Sequence, residues 1–293
     1  MLSLKEVLIQ GKKYLRANAF EASQTPALDA ELLLMHTVNV RRTELVTKDE
    51  RALSEEEISR YFAALEKRAG GMPVQYLTGQ AEFMSLPFLV NENVLIPRGD
   101  TEILTEYLIE EIQRRGFSEI IEIGTGSGCI AVSLANYCAA VHITAADISS
   151  GALSVARENA RINGVADRID FLESDLFSAV PKTLLGQADV IVSNPPYIRT
   201  GEIDGLFCNV KDYEPLTALD GGADGLYFYE KITEAAAAFL RVGGLLIFEI
   251  GFDQKEAVGQ RMTQRGFTGV GCKKDLAGHD RVIYSYQNKE WKQ

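Results

Sequence analysis

Residues 120–128 read Ile120-Ile121-Glu122-Ile123-Gly124-Thr125-Gly126-Ser127-Gly128. An apolar run of strand length that breaks into alternating glycines describes a buried strand turning tightly into a helix, with backbone free to approach a ligand closely. About twenty residues further on, Asp147 ends the next apolar run, where a carboxylate can accept hydrogen bonds from both hydroxyls of a ribose. A nucleotide-like cofactor is therefore expected. The shifted register Gly126-x-Gly128-x-x-Ala131 also satisfies the loose dinucleotide fingerprint, so the glycines alone do not separate a dehydrogenase from a methyltransferase.

Outward from this turn, strands and helices alternate from Asp100 to the end, as in a parallel sheet with crossover helices. The expected strands are Glu119–Ile123, His142–Asp147, Ile169–Glu173, Val190–Ser193, Leu245–Ile250, Gly269–Lys273 and Val282–Tyr286. The expected helices are Thr101–Arg115, Gly128–Tyr137, Gly151–Asn163, Leu226–Arg241 and Gln254–Arg265. The last two strands follow each other without a helix, which predicts an antiparallel closing pair. The fold class is thus α/β, a Rossmann-like sheet of seven mostly parallel strands, over residues 99–293.

Ahead of it, residues 1–71 read as a small helical domain. Leu4 to Phe20 has helical apolar spacing, Pro26 to Val38 opens with a proline in its first turn, and Ser54-Glu55-Glu56-Glu57 is a capping box closed downstream by Gly70-Gly71. Residues 72–98 change to short extended runs, Phe83–Val90 and Val94–Ile96, and predict a hairpin linker. The segment from Ile198 to Asp224 is too long for a plain connection and is a candidate lid or substrate loop.

Composition bounds the function. The chain has 293 residues, 46% hydrophobic, and a net charge of −11, which disfavours a protein that tracks nucleic acid by neutralising phosphates. No stable nucleic-acid binding is expected. The start, Met1 to Glu6, meets Lys12 and Lys13 before any apolar run of signal length, and no stretch approaches a membrane span, so a cytoplasmic protein without membrane contact is expected. Cys129, Cys138, Cys208 and Cys272 form no C-x-x-C pair, and no metal is expected. His36, His142 and His279 lie far apart, with no nucleophile and base grouped around them.

The chemistry is decided by Asn194-Pro195-Pro196-Tyr197, placed after the fourth strand at the carboxyl edge of the sheet. An amide nitrogen is a poor nucleophile because its lone pair is delocalised into the carbonyl. Two acceptors aimed at its N–H groups hold it, favour a pyramidal nitrogen and stabilise the developing positive charge. The Asn194 side-chain oxygen and the Pro195 carbonyl are those acceptors. Consecutive prolines keep the local backbone out of the helical region, and Tyr197 offers an aromatic face for a flat amide or base. The reading is S-adenosylmethionine-dependent methyl transfer to a planar nitrogen, with no general base.

At this point the sequence resembles the class I amino-methyltransferases, and more closely the HemK/PrmC family of protein-glutamine methyltransferases that act on peptide chain release factors. The resemblance runs over nearly the whole chain, through Ile96-Pro97-Arg98 with Asp100-Thr101-Glu102, the glycine run, the tetrapeptide, Tyr213–Leu219, and Asp280-Arg281. It implies that Gly124, Thr125, Gly126, Ser127 and Gly128 wrap the methionine part of S-adenosyl-L-methionine and that Asp147 holds its ribose. It further implies that Asp175 and Leu176 flank the adenine, and that Asn194, Pro195, Pro196 and Tyr197 take the substrate glutamine, Asn194 also bordering the cofactor. The implied reaction is methylation of N5 of the glutamine in the Gly-Gly-Gln motif of class I release factors in translation termination, with the helical domain and the interdomain hairpin docking the protein substrate. Adenine-N6 methylation of DNA or RNA and glutamine methylation of a ribosomal protein are the alternatives.

Three positions depart from the family pattern: Gly99 stands for a proline, Leu176 for a tryptophan found in some relatives, and Glu122 for a common aspartate. Glu122 sits beside the glycine turn, either facing the cofactor or satisfying backbone donors. Arg98 to Glu102 are read first as a helix cap and second as closing the cofactor pocket.

Overall fold

Strands Glu119–Ile123 (β3) and Ala188–Ser193 (β6) lie side by side and parallel at the centre of a seven-stranded sheet in the computed structural model, which describes residues 2–19 and 23–288. The strand order is β5-β4-β3-β6-β7-β9-β8, with β4 at His142–Asp147, β5 at Ile169–Glu173, β7 at Leu240–Glu249, β8 at Thr268–Lys274 and β9 at Asp280–Tyr286. All pairs are parallel except β7–β9 and β8–β9. The order runs outward in one direction through β3, β4 and β5 and resumes on the other side with β6 and β7. The switch point between β3 and β6 is where open α/β sheets leave a crevice for ligands.

Period-2 alternation along these strands divides the core between the two faces. Ile120, Val190, Val192, Leu245 and Ile247 pack on one side with Leu104, Leu108, Ile130 and Leu134. Ile121, Ile123, Ile191, Leu246 and Phe248 pack on the other with Tyr229, Ile232, Val258 and Met262. The first face is covered by helices α6 (Gly99–Arg115), α7 (Cys129–Tyr137) and α8 (Ser150–Ile162), the second by α9 (Tyr227–Phe239) and α10 (Lys255–Gln264). Phe248 is completely buried, and truncating a core aromatic of this kind to alanine costs about 3–5 kcal/mol.

The chain divides into two compact units, Met1–Gln80 with Gly205–Glu214, and Ala81–Asp204 with Pro215–Gln293. The first holds α1 (Leu4–Asn18), α2 (Pro26–Val38), α3 (Glu44–Thr47), α4 (Glu55–Ala69) and α5 (Val74–Thr78). Ser3 and Ser54 each form a full capping box, with Glu6 and Glu57. The helices bury Leu4, Leu15, Leu33, Leu34, Tyr61 and Leu65 together. Phe20, where the first helix was expected to end, lies outside the described residues. The buried Arg68 Nε donates to Asp29 at 2.7 Å, and Tyr213 donates to the Gly70 carbonyl at 2.9 Å, fastening the 205–214 segment within this unit.

The segment expected as a linker, 72–98, is shared between the units and not a separate piece. Its hairpin is real but earlier than the sequence pattern predicts, β1 (Gln80–Phe83) pairing with β2 (Leu86–Leu89). The turn is Met84-Ser85, both left-handed at φ 51° and 58°, the geometry of a tight primed hairpin turn built without glycine. No glycine or asparagine marks it, so the run 83–90 reads as one strand in sequence. The turn is held from outside: the Met84 N–H donates to Glu102 at 2.6 Å and its carbonyl accepts from Tyr137 at 2.6 Å. Phe83 and Phe88 are buried in the sheet unit's core. Val94-Leu95-Ile96 forms no strand: the chain turns at Asn91–Val94 and continues without regular structure into α6.

β7 starts earlier than expected and α9 ends earlier, at Phe239. Leu240 already pairs with Ala188, and Arg241 forms an ion pair with Asp189 that carries it away from a helical path.

Candidate active site

A cavity of about 420 Å³ opens at the carboxyl ends of β3, β4 and β6. Gly124, Gly126 and Gly128 leave β3 with φ of +74°, +56° and +78°, a region that disfavours every residue with a Cβ. A Cβ on Gly124 or Gly126 would meet no atom of the described residues within 4 Å, so their bare faces look onto open space, whereas one on Gly128 would lie 3.1 Å from Ala156 Cβ. The first two glycines make room for a ligand and the third lets α7 pack on α8.

At the end of β4, Asp147 is oriented by two backbone donors: Gly126 N–H at 2.8 Å to Oδ2 and Ser149 N–H at 2.9 Å to Oδ1. Each oxygen keeps lone-pair capacity, and the residue lines the cavity. Asp175 and Leu176 line it too, with Leu176 in the left-handed region at φ 50°.

Glu122 is buried. Its Oε2 accepts from Thr125 Oγ1 at 2.7 Å, while Oε1 has no hydrogen-bond partner among the described residues. Burial pushes its carboxyl up to about 8, against the Thr125 hydrogen bond. A buried carboxyl oxygen left unpaired in the wall of a cavity costs on the order of 1–3 kcal/mol unless a ligand donor reaches it. Together with the bare glycines, this orphaned oxygen fits a cofactor that brings hydroxyl or ammonium donors.

Ser193 donates to the Ile123 carbonyl at 2.6 Å and locks the end of β6 against β3, which delivers Asn194 to the cavity wall. The Asn194 Nδ2 donates to Thr101 Oγ1 at 3.1 Å, and Thr101 in turn donates to Glu249 Oε2 at 2.6 Å. Tyr197 donates to the other oxygen of Glu249 at 3.4 Å. Burial and the neighbouring Glu249 charge raise the Tyr197 phenol well above the ordinary tyrosine range, which keeps its proton in place as the donor. Burial likewise pushes Glu249 up to about 7, opposed by the hydrogen bond from Thr101 and the charge of Arg281.

The backbone after the tetrapeptide is clamped. Gln254, 2% exposed, donates from Nε2 to the Tyr197 carbonyl at 2.9 Å. Its Oε1 accepts from Gly251 N–H and from the Tyr229 hydroxyl, at 3.0 and 3.3 Å. Gly221 donates to the Ile198 carbonyl at 2.8 Å, and a Cβ there would come within 2.7 Å of Tyr197 Cα. The candidate lid is therefore two things at once: 205–214 belongs to the helical unit, and Pro215 to Ala218 with Asp220 line the cavity.

Ten of the twelve site residues predicted from sequence line this one cavity; Gly128 instead packs against Ala156, and Tyr197 is joined to the cavity through Glu249 and Thr101. The Arg98–Glu102 segment behaves differently from the capping expectation. Arg98, at the N-cap of α6, makes no side-chain cap hydrogen bond; instead Asp100 pairs with Arg281 at 3.2 Å, Thr101 reaches Glu249 and Glu102 holds the hairpin turn. Glu249 and Gln254 were not singled out in the sequence. The available signal was position: Glu249 ends β7, the neighbour of the strand that carries Asn194.

The PrmC N-terminal domain family matches residues 6–79, and the methyltransferase small domain family matches residues 90–208. A release factor glutamine methyltransferase of Clostridium botulinum is 40% identical over 280 residues, 96% of this chain and 98% of that protein. Its counterpart in Moorella thermoacetica is 41% identical over 290 residues, 99% of this chain and 100% of that protein. A crystal structure of a methyltransferase from Pyrococcus furiosus, 19% identical, covers 70% of this chain and 91% of its own with a TM-score of 0.51, which shows a shared fold. With its cavity at the switch point of such a sheet and its full length matched by these relatives, the chain belongs to the release factor glutamine methyltransferase family.

Proposed function

We propose that the chain transfers the methyl group of S-adenosyl-L-methionine to N5 of the glutamine in the Gly-Gly-Gln motif of class I peptide chain release factors. The observation that carries this reading is the orientation of Asn194. Its NH2 is engaged by Thr101, so its Oδ1 is the end left to receive a donor at the cavity. A glutamine amide brings two such donors, one for Asn194 Oδ1 and one for the Pro195 carbonyl.

S-adenosyl-L-methionine supplies an electrophilic methyl carbon on a sulfonium. Gly124 to Gly128 would wrap its methionine part, Asp147 would accept from the ribose hydroxyls, and Asp175 and Leu176 would border the adenine. Glu122 Oε1 stands ready for one further donor. The protein's work at the substrate is to hold the amide in line, draw its N–H groups toward two oxygens and let positive charge build on nitrogen beside the Tyr197 ring. When bound, the cofactor would supply the methyl group to this nitrogen, which would then give up one proton to solvent. The helical unit docks the protein substrate, and stable nucleic-acid binding forms no part of the cycle. Among the described residues no helix is long and apolar enough to cross a membrane.

The test is incubation with methyl-labelled S-adenosyl-L-methionine and, in parallel, a class I release factor, ribosomal protein and duplex DNA. Label is expected in the release factor and lost when its Gly-Gly-Gln glutamine is replaced. Label confined to DNA or to ribosomal protein would overturn the reading.

A further inference from the structure

The proposed reaction requires Asn194 to present its oxygen, and not its NH2, to the incoming amide. The two ends of a carboxamide have nearly the same shape, so packing cannot choose between them; only a neighbour with a fixed donor or acceptor role can. That neighbour is Thr101, whose Oγ1 lies 3.1 Å from Asn194 Nδ2 and 2.6 Å from Glu249 Oε2.

A threonine hydroxyl has a single hydrogen. When Glu249 is ionised it is acceptor-only, the Thr101 hydrogen goes to it, and Oγ1 turns only lone pairs toward Asn194. The NH2 of Asn194 must then face Thr101 and Oδ1 must face the cavity. When Glu249 is protonated it can donate to Thr101, the hydroxyl can donate to Asn194, and the amide is free to reverse, offering NH2 where the substrate needs an acceptor.

We propose that Glu249 is a positioning residue which, relayed by Thr101, sets the orientation of the Asn194 amide and thereby makes the site an acceptor for a nitrogen that carries hydrogens. This rests on the acceptor role given to Asn194 above. The other oxygen of the same carboxylate takes the Tyr197 hydroxyl, so both ends of the tetrapeptide are referred to one buried charge. Its surroundings are polar enough to support that charge and enclosed enough to make it sensitive. Thr101 and Asp100 face it from α6, Tyr197 from the loop, Tyr229 from α9, Cys129 from α7 and Arg281 from β9. With burial pushing Glu249 up to about 7, both protonation states are populated near neutrality.

The experiment is single-turnover methylation of a release factor by the full chain at saturating cofactor, with cofactor Kd measured separately by calorimetry. Thr101→Val, nearly isosteric but without a hydroxyl, is expected to lower turnover at least about tenfold with cofactor Kd changed by less than about twofold. Thr101→Ser, which restores the hydroxyl, is expected to recover most of that loss. In the wild type, turnover is expected to fall as pH drops from about 8 to about 6, and Glu249→Gln is expected to remove that fall because its side chain does not titrate there. Undiminished turnover in Thr101→Val, equal losses in Val and Ser, a loss confined to cofactor Kd, or a wild-type acid limb persisting in Glu249→Gln would each overturn the proposal. Failure of the wild type to label the release factor at all would overturn the proposed function, and this inference with it.

Discussion

Thr101, in the first turn of α6, donates a 2.6 Å hydrogen bond to Glu249, the last residue of β7 and 148 positions away in sequence. One bond thus ties the start of a helix to the carboxyl edge of the sheet, where the chemistry is placed. It fixes the Thr101 hydroxyl beside Asn194, so that the acceptor proposed there would be ordered before any substrate arrives, as preorganised dipoles that lower a barrier without reorganisation must be.

Tyr197 gives its hydroxyl to Glu249, and its ring is the platform proposed for the amide. Tyr197→Phe keeps the ring and loses only a long, 3.4 Å hydrogen bond, so turnover is expected to fall by less than about tenfold. Tyr197→Ala removes the platform as well, and a loss of at least about a further tenfold is expected from single-turnover rates. Equal losses in the two variants would assign the effect to the hydroxyl.

Asp147 is held by Gly126 and Ser149 with its remaining lone pairs toward the cavity. Asp147→Ala is expected to weaken cofactor binding by about tenfold to a hundredfold, the worth of two hydrogen bonds to a carboxylate, with turnover at saturating cofactor largely kept. Calorimetric titration with S-adenosyl-L-methionine reads this directly.

Glu122 links stability to pH. Its carboxyl is raised from 4.5 to about 8 by burial. Between those values the unfolded chain has lost this proton while the folded chain keeps it, so the group lowers stability progressively as pH rises through the window and adds no further change above it. Glu122→Gln removes the titration. The difference in unfolding free energy between the variant and the wild type is expected to shift in the variant's favour by a few kcal/mol from about pH 5 to about pH 8. Denaturant melts at the two pH values supply the comparison, and a difference that does not move with pH would contradict a buried, raised carboxyl.

Gly221 passes so close to Tyr197 that an added Cβ would sit 2.7 Å from its Cα and 2.8 Å from the Pro196 carbonyl oxygen. Gly221→Ala is expected to push the tetrapeptide backbone out of place and reduce turnover by about tenfold or more, since small displacements of a reacting group are costly. The thermal midpoint is expected to drop by only a few degrees, because the clash lies in a loop and not in the sheet core.

Much of this was legible in the sequence because the decisive signals are local. A strand running into Gly124-x-Gly126-x-Gly128 imposes its own backbone, and β3, β4 and β5 begin and end where the apolar runs do. The acceptors and aromatic face proposed for Asn194–Tyr197 stand on consecutive residues. What the sequence hid is non-local. The hairpin turn at Met84-Ser85 has no turn residue of its own and is imposed by Glu102 and Tyr137. The roles of Thr101, Glu249 and Gln254 exist only once α6, β7 and the loop after β6 converge. Thr101 reads as a helix-start residue until the sheet places a carboxylate 2.6 Å from it.

The central claim is that Asn194 holds the substrate amide and not the cofactor. Single-turnover methylation of a class I release factor by Asn194→Ala, with cofactor Kd measured on the same preparation, tests it most directly. Turnover is expected to fall by about a hundredfold to a thousandfold, as for loss of one preorganised polar group at a reacting centre, with cofactor Kd within about threefold of the wild type. Cofactor binding that collapses while turnover at saturation survives would contradict it.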